Sequence, residues 1–204
     1  MKLAGSDPLP LILASKSASR AAVLSGAGLV FEQVAAGVDE DALKAGLRAE
    51  GAPPMRQAEW LAETKAMKIS KSRRGVVLGA DQMLDLDGQG YDKPVDLAAA
   101  REQLITLRGK THVLQTAIVA CIDGAPVWRH VAQPKLTVRR FSDAFLDTYI
   151  EVEGEALLST VGGYRLEGPG AQIFERIEGD FFSILGLPLL PLLQWLRDRK
   201  TLLP

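Results

Sequence analysis

The sequence has very little cysteine, few aromatics and no excess of either charge. Cys121 is the only cysteine in 204 residues, so no disulfide framework can form within the chain. It stands in the apolar run "TAIVACI", where a buried, inert thiol is the expected role. The 24 Lys and Arg nearly balance the 25 Asp and Glu, for a net charge of -1. That balance argues against a nucleic-acid partner or an anionic membrane surface, and any anion site must be local. No apolar run reaches the roughly 18 residues that span a bilayer. The greasiest one, "FFSILGLPLLPLL", is interrupted by Gly186, Pro188 and Pro191. Lys2 precedes an apolar run, 9–14, that is too short for a signal segment, and a soluble, cytoplasmic protein is the expectation. There is no G-x-x-x-x-G-K-[ST] loop, and "SGAG" follows the first helical stretch, the wrong place for a dinucleotide fingerprint. His112 and His130 stand alone, so a zinc site or a His-based triad lacks its parts.

What is present is ample apolar material, 47% of residues, enough for one large core and a single domain over residues 1–204. "LILAS" reads as a buried strand, followed by a helix capped by Ser17 and closed near Gly26. An extended segment, 29–37, ends near "VDED". Residues 55–72 form a long amphipathic helix with Trp60, Leu61, Met67 and Ile69 at helical spacing. "GVVLGAD" reads as a short buried strand ending at Asp81. "QMLDLDGQGYDKP" follows as an edge strand with an Asp87-Gly88 turn. Helices are expected over 96–107, 142–153 and 187–199, and a hairpin of two long strands turns at Asp123-Gly124. The pattern is α/β, a mixed sheet flanked by helices, without the regular beat of a doubly wound fold.

Chemistry gathers at four places. In "LILASKSASR", Ser15, Ser17, Ser19, Lys16 and Arg20 surround a helix N-terminus, whose free N–H groups make a phosphate cradle in chemical type. The plainer alternative is a Ser17 cap with ordinary exposed neighbours. Asp81, at the end of a strand, would face the crevice where α/β proteins keep ligands, or serve as a turn acid. Lys93, held extended by Pro94, projects away from its backbone or is an ordinary loop lysine. Glu40 in "VDED" and Lys65 in the helix would be surface charges unless the fold gathers them. "GGYRLEGPG" looks like a loop shaped around a planar ligand, with Glu167 able to accept two coplanar hydrogen bonds, or like a glycine-rich turn.

In order, "LILASKSASR", "VDED", "LAETKA", "LGADQ" with "DKP", "GGYRLEG" and "IEGDFFSILGLPL" resemble the motifs of the Maf family of nucleoside triphosphate pyrophosphatases over nearly the whole chain. The resemblance implies an ITPase-like fold, a mixed curved sheet flanked by helices in two lobes around a central cleft. It implies hydrolysis of a nucleoside triphosphate to monophosphate and pyrophosphate, with Asp81 as proton acceptor. Arg20, Lys65, Lys93 and Ser15 would hold the triphosphate, and Glu40 a divalent cation such as Mg²⁺. Gln82 and Glu167 resemble the branch acting on 7-methyl-GTP, whereas the branch acting on dTTP and UTP carries Thr and Gln there. Ser19 departs from both, standing where relatives place Arg or an aromatic. A homodimer is a further implication, and the alternative to catalysis is a nucleotide-sensing regulator of cell division.

Overall fold

The computed structural model describes residues 9–203; Lys2 and the reading built on it lie outside the described residues. β1 (Leu11–Leu13) is a short apolar run and fully buried, as expected for a strand covered on both faces. The chain leaves it at Ser15 and enters α1 (Ala18–Gly26), where the Ser17 side chain accepts from the Arg20 N–H and caps the helix. Of the extended segment 29–37, only two residues join the sheet, as β2 (Glu32–Gln33).

α2 (Glu40–Ala49) is a helix in a stretch, between the extended segment and the helix expected over 55–72, for which the sequence suggests no element. It buries none of its residues fully; Leu43 and Leu47, four apart on one face, are half-buried. Its markers lie at its ends: Asp39 caps it, Glu40 and Asp41 occupy the first turn, and Arg48 the last. α3 (Pro54–Ser70) matches the expected long helix, with a different buried face. Ala58, Leu61, Ala62, Lys65, Ala66 and Ile69 are buried at i, i+3, i+4 spacing, while Trp60 is exposed.

β3 (Val76–Leu86) corrects two expectations. It is one strand of 11 residues, so Asp81 lies in mid-strand, and residues 83–86 belong to the sheet interior. The expected edge is instead β4 (Gln89–Tyr91), which pairs antiparallel with Leu84 to Leu86. α4 (Leu97–Leu107) starts from an Asp96 cap. β5 (Thr111–Ile122) turns at Asp123-Gly124 into β6 (Ala125–Ala132). The expected second long strand breaks near Pro134, and β7 (Lys135–Val138) pairs with the start of β5. Pro134 supplies no N–H, but its carbonyl accepts from Leu114 at the break.

α5 (Asp143–Glu153) is capped by Ser142. Two 3₁₀ turns, Gly154–Ser159 and Pro169–Ile173, frame the glycine-rich loop. β8 (Phe174–Glu178) pairs with β7, and α6 (Phe181–Ile184) and α7 (Leu189–Asp198) close the described chain. Among the described residues the sheet has eight strands in the order β2-β1-β3-β5-β7-β8, with β4 on β3 and β6 on β5. β1 runs parallel to its neighbours and the remaining pairs are antiparallel, so the fold is mixed α/β.

Alternation along the central strands divides the core. Leu11, Leu13, Leu78, Ile118 and Ala120 pack with α1 and α7 on one face, whereas Ile12, Val77, Val119 and Cys121 meet α3 on the other. A third cluster around Leu84, Leu104, Leu136 and Tyr164 fills the far half of the sheet. Each fully buried leucine contributes roughly 1.5–3 kcal/mol through burial. Cys121 is buried as expected, and burial pushes its thiol up to about 11, away from the reactive thiolate. Among the described residues no helix is long and apolar enough to cross a membrane.

Candidate active site

β1 stops pairing with β3 at Leu78, and β4 begins at Leu84. The intervening part of β3, with Asp81 and Gln82, therefore has a strand neighbour only on the β5 side. Into this gap opens a cleft of about 560 Å³, a size suited to a small-molecule ligand. The carboxyl end of β1 leads into its wall through Ser15 and the N-terminus of α1. The crevice is thus at a strand's carboxyl edge, but the strand is β1 and not the one bearing Asp81.

Every side chain singled out in the sequence lines this one cavity: Ser15, Arg20, Glu40, Lys65, Asp81, Gln82, Lys93 and Glu167. Asp81 points from β3 toward α3, where the Lys65 ammonium lies 2.6 Å from its Oδ1 and 2.9 Å from Glu40 Oε1. Lys65 and Asp81 are both buried, while Glu40 remains half exposed. An ammonium in the middle of an apolar helix face is held there by two carboxylates. Gly79, one turn of the pleat before Asp81, permits the close approach of the two elements. A Cβ on it would lie 2.0 Å from the Ala62 carbonyl oxygen and 2.8 Å from the Ala66 nitrogen.

Arg20 is held from two sides. Its Nε donates to the Gly186 carbonyl at 2.9 Å, and its Nη1 donates to Ser15 Oγ at 3.3 Å. Burial lowers the pKa of its guanidinium, and the charges of Asp81 and Glu40 oppose that shift. Desolvation, followed by the nearby Arg20 charge, likewise lowers the Lys93 ammonium. Lys16 and Lys44 add two further cations, so five positive side chains face Glu40, Asp81 and Glu167. The excess of two positive charges makes the cleft a local anion site on a chain of near-zero net charge.

Lys44 was missed in the sequence because α2 was missed. With Arg48 it clamps Asp92, next to Lys93, and these contacts bring the Asp92 carboxyl below the usual range against the effect of burial. The glycine-rich loop forms the opposite wall through Val161, Gly162, Tyr164, Leu166 and Glu167. It is anchored from behind. Tyr164 Oη lies 2.7 Å from His112 Nε2, Arg165 Nε donates to Glu153 at 2.7 Å, and Gln103 Nε2 donates to the Val161 carbonyl. His112 is therefore a buried partner of this loop, and burial lowers its imidazole to about 4.

As to a metal, Glu40 and Asp81 converge on one ammonium and supply hard oxygen donors. Among the described residues no group of three or more His, Cys, Asp or Glu side chains forms a cage. One or two carboxylates completed by substrate phosphates is the donor set that suits Mg²⁺, so the residues fit such an ion.

The family model described as "Maf-like protein" matches residues 10–199. A nucleoside triphosphate pyrophosphatase of Hyphomonas neptunium is 57% identical over 194 residues, covering 95% of this chain and 98% of the relative. Another of the same name, from Caulobacter vibrioides, is 56% identical over 188 residues, covering 92% and 94%. A 7-methyl-GTP pyrophosphatase of Brucella abortus is 47% identical over 193 residues, covering 94% and 97%. A match over nearly all of the fold, including every wall of the cleft, means that this chain belongs to the Maf family.

Proposed function

We propose that the protein is a nucleoside triphosphate pyrophosphatase that cleaves between the α- and β-phosphorus atoms, releasing a nucleoside monophosphate and pyrophosphate. The observation that carries this reading is Asp81 set on Lys65 in a cleft whose walls bring five cations together. A triphosphate carries about four negative charges, and fixed cations in a partly dry site stabilise it without reorganising. Arg20, Lys65 and Lys93 bind the phosphates, with Ser15 donating to an oxygen. Lys65 holds Asp81 Oδ1, which leaves Oδ2 to orient a water and take its proton as the water oxygen bonds to the α-phosphorus. The bond from that phosphorus to the bridging oxygen breaks, and the pyrophosphate leaves among the same cations.

Glu40, with Asp81 beside it, would hold the divalent cation. Bound there, Mg²⁺ supplies charge neutralisation and a more acidic water. The base is assigned to the glycine-rich wall, where the Glu167 carboxylate can accept two coplanar N–H groups. A guanine edge offers such a pair, which supports a 7-methylated or related guanine nucleotide over a pyrimidine.

The test is pyrophosphate release by the purified protein with Mg²⁺, from a panel of 7-methyl-GTP, GTP, inosine triphosphate, UTP and dTTP. Release from at least one, fastest with a guanine-type base, is the expected result. No release from any member would remove the enzymatic reading, and preference for UTP or dTTP would remove the role given to Glu167.

A further inference from the structure

Gln82 follows Asp81 on β3 and so projects to the opposite face of the sheet. There its amide Nε2 lies 2.8 Å from Thr116 Oγ1, 3.0 Å from the Ser183 carbonyl and 3.2 Å from the Ile184 carbonyl. Thr116 is its cross-strand partner on β5, is fully buried, and donates its own hydroxyl to the Ser183 carbonyl at 3.0 Å. Two adjacent side chains thus reach the carbonyls at the end of α6, of which that of Ser183 also accepts from the Gly186 N–H at 3.1 Å. At the start of the same turn, Asp180 accepts from the Ser183 N–H at 2.9 Å. At its far end, the Gly186 carbonyl accepts from Arg20 Nε. Gly186 has φ +95°, and a Cβ there would lie 3.3 Å from Arg20 Nε, so the presentation of this carbonyl depends on glycine.

We propose that Gln82 and Thr116 are positioning residues that clamp the 180–186 turn, so that the Gly186 carbonyl fixes the direction of the Arg20 guanidinium. The amide hydrogens of Gln82 go to the clamp, and only Oε1 is left for the cavity. Gln82 therefore acts on the phosphates through Arg20, with its Oε1 still facing the cavity, and Thr116 gains a role that its buried place in the sheet conceals. This inference rests on the assignment of Arg20 to the phosphates.

The test uses the full chain with Thr116→Val, which keeps the shape and removes the hydroxyl. Three quantities are read: the Arg20 Nε–H signal by NMR, KM and kcat for a guanine and a uracil nucleotide, and calorimetric binding of inorganic pyrophosphate. The Nε–H signal should shift and exchange faster. KM and the pyrophosphate Kd should each rise about fivefold, by one factor for both nucleotides, with kcat little changed. Thr116→Ser should restore all three, and Thr116→Val should add nothing on an Arg20→Ala background.

An unaltered Nε–H signal, an unchanged KM, a loss confined to one base, or additivity with Arg20→Ala would overturn the clamp. If the native protein hydrolyses no nucleotide, the proposed function fails, yet the Nε–H signal and pyrophosphate binding still decide the clamp. Should Thr116→Val not fold, Gln82→Met removes the other half of the clamp, the amide hydrogen bonds to Thr116 Oγ1 and to the Ser183 and Ile184 carbonyls, and carries the same measurements.

Discussion

The Lys65 ammonium lies 2.6 Å from Asp81 Oδ1, with both side chains buried, and it can do so because α3 and β3 meet across a glycine. This contact joins the middle of an apolar helix face to the middle of a strand. It also gives the carboxylate a fixed direction, which a proton acceptor requires.

Asp81→Asn keeps the shape of the side chain and an acceptor for Lys65, but it removes the base. Turnover should fall by roughly a thousandfold or more, while nucleotide binding, read by calorimetry, stays within about threefold because Arg20, Lys65 and Lys93 remain. Retained pyrophosphate release would take Asp81 out of its role.

Gly79→Ala tests how the contact is built. The added Cβ meets backbone atoms of Ala62 and Ala66, neither of which can swing away. The variant should lose about 3 kcal/mol by urea unfolding, with an unchanged m-value. Because α3 must move off β3, the activity of the folded fraction should also drop by about tenfold. A midpoint equal to the native one would show that the helix yields without strain.

Chelation with EDTA should abolish activity, and Mg²⁺ should restore it. Glu40→Gln should raise the Mg²⁺ concentration for half-maximal rate by about tenfold or more. The same substitution should change stability by less than about 1 kcal/mol, since Glu40 is half exposed. An unaltered Mg²⁺ requirement would exclude Glu40 as the ligand.

His112 gives a dependence on pH that is independent of catalysis. The fold keeps its imidazole neutral down to about 4, whereas the unfolded chain takes up the proton near 6.5. Stability from this group is therefore complete above about 6.5 and is lost as pH falls toward 4, by about 3 kcal/mol in all. His112→Gln, which still offers Tyr164 a partner, should flatten the fall in urea midpoint over that window. His130 is also lowered by burial and titrates in both proteins, so the difference between the two curves isolates His112. Parallel curves would refute the assignment.

The amino-acid sequence by itself determined the apolar runs that become the buried strands, the cap at Ser17, the starts of the helices expected over 96–107 and 142–153, and the turn at Asp123-Gly124. Each depends on neighbours within a few residues, where local chemistry decides. It also singled out Ser15, Arg20, Glu40, Lys65, Asp81, Gln82, Lys93 and Glu167, because the motifs carrying them occur in order along the chain. Only the tertiary structure gathered these residues into one cleft. Asp81 was expected at a strand end, yet the strand continues through it, because β5 supplies partners along its length while β1 and β4 leave a gap on the other side. α2 went unread because its ties to the rest of the fold are Lys65–Glu40 and Lys44 and Arg48 on Asp92, and ion pairs between distant residues have no period in the sequence. The hydrogen bonds of Gln82 and Arg20 to carbonyls 101 and 166 residues away are likewise invisible along the chain, because a backbone acceptor looks the same whatever its side chain.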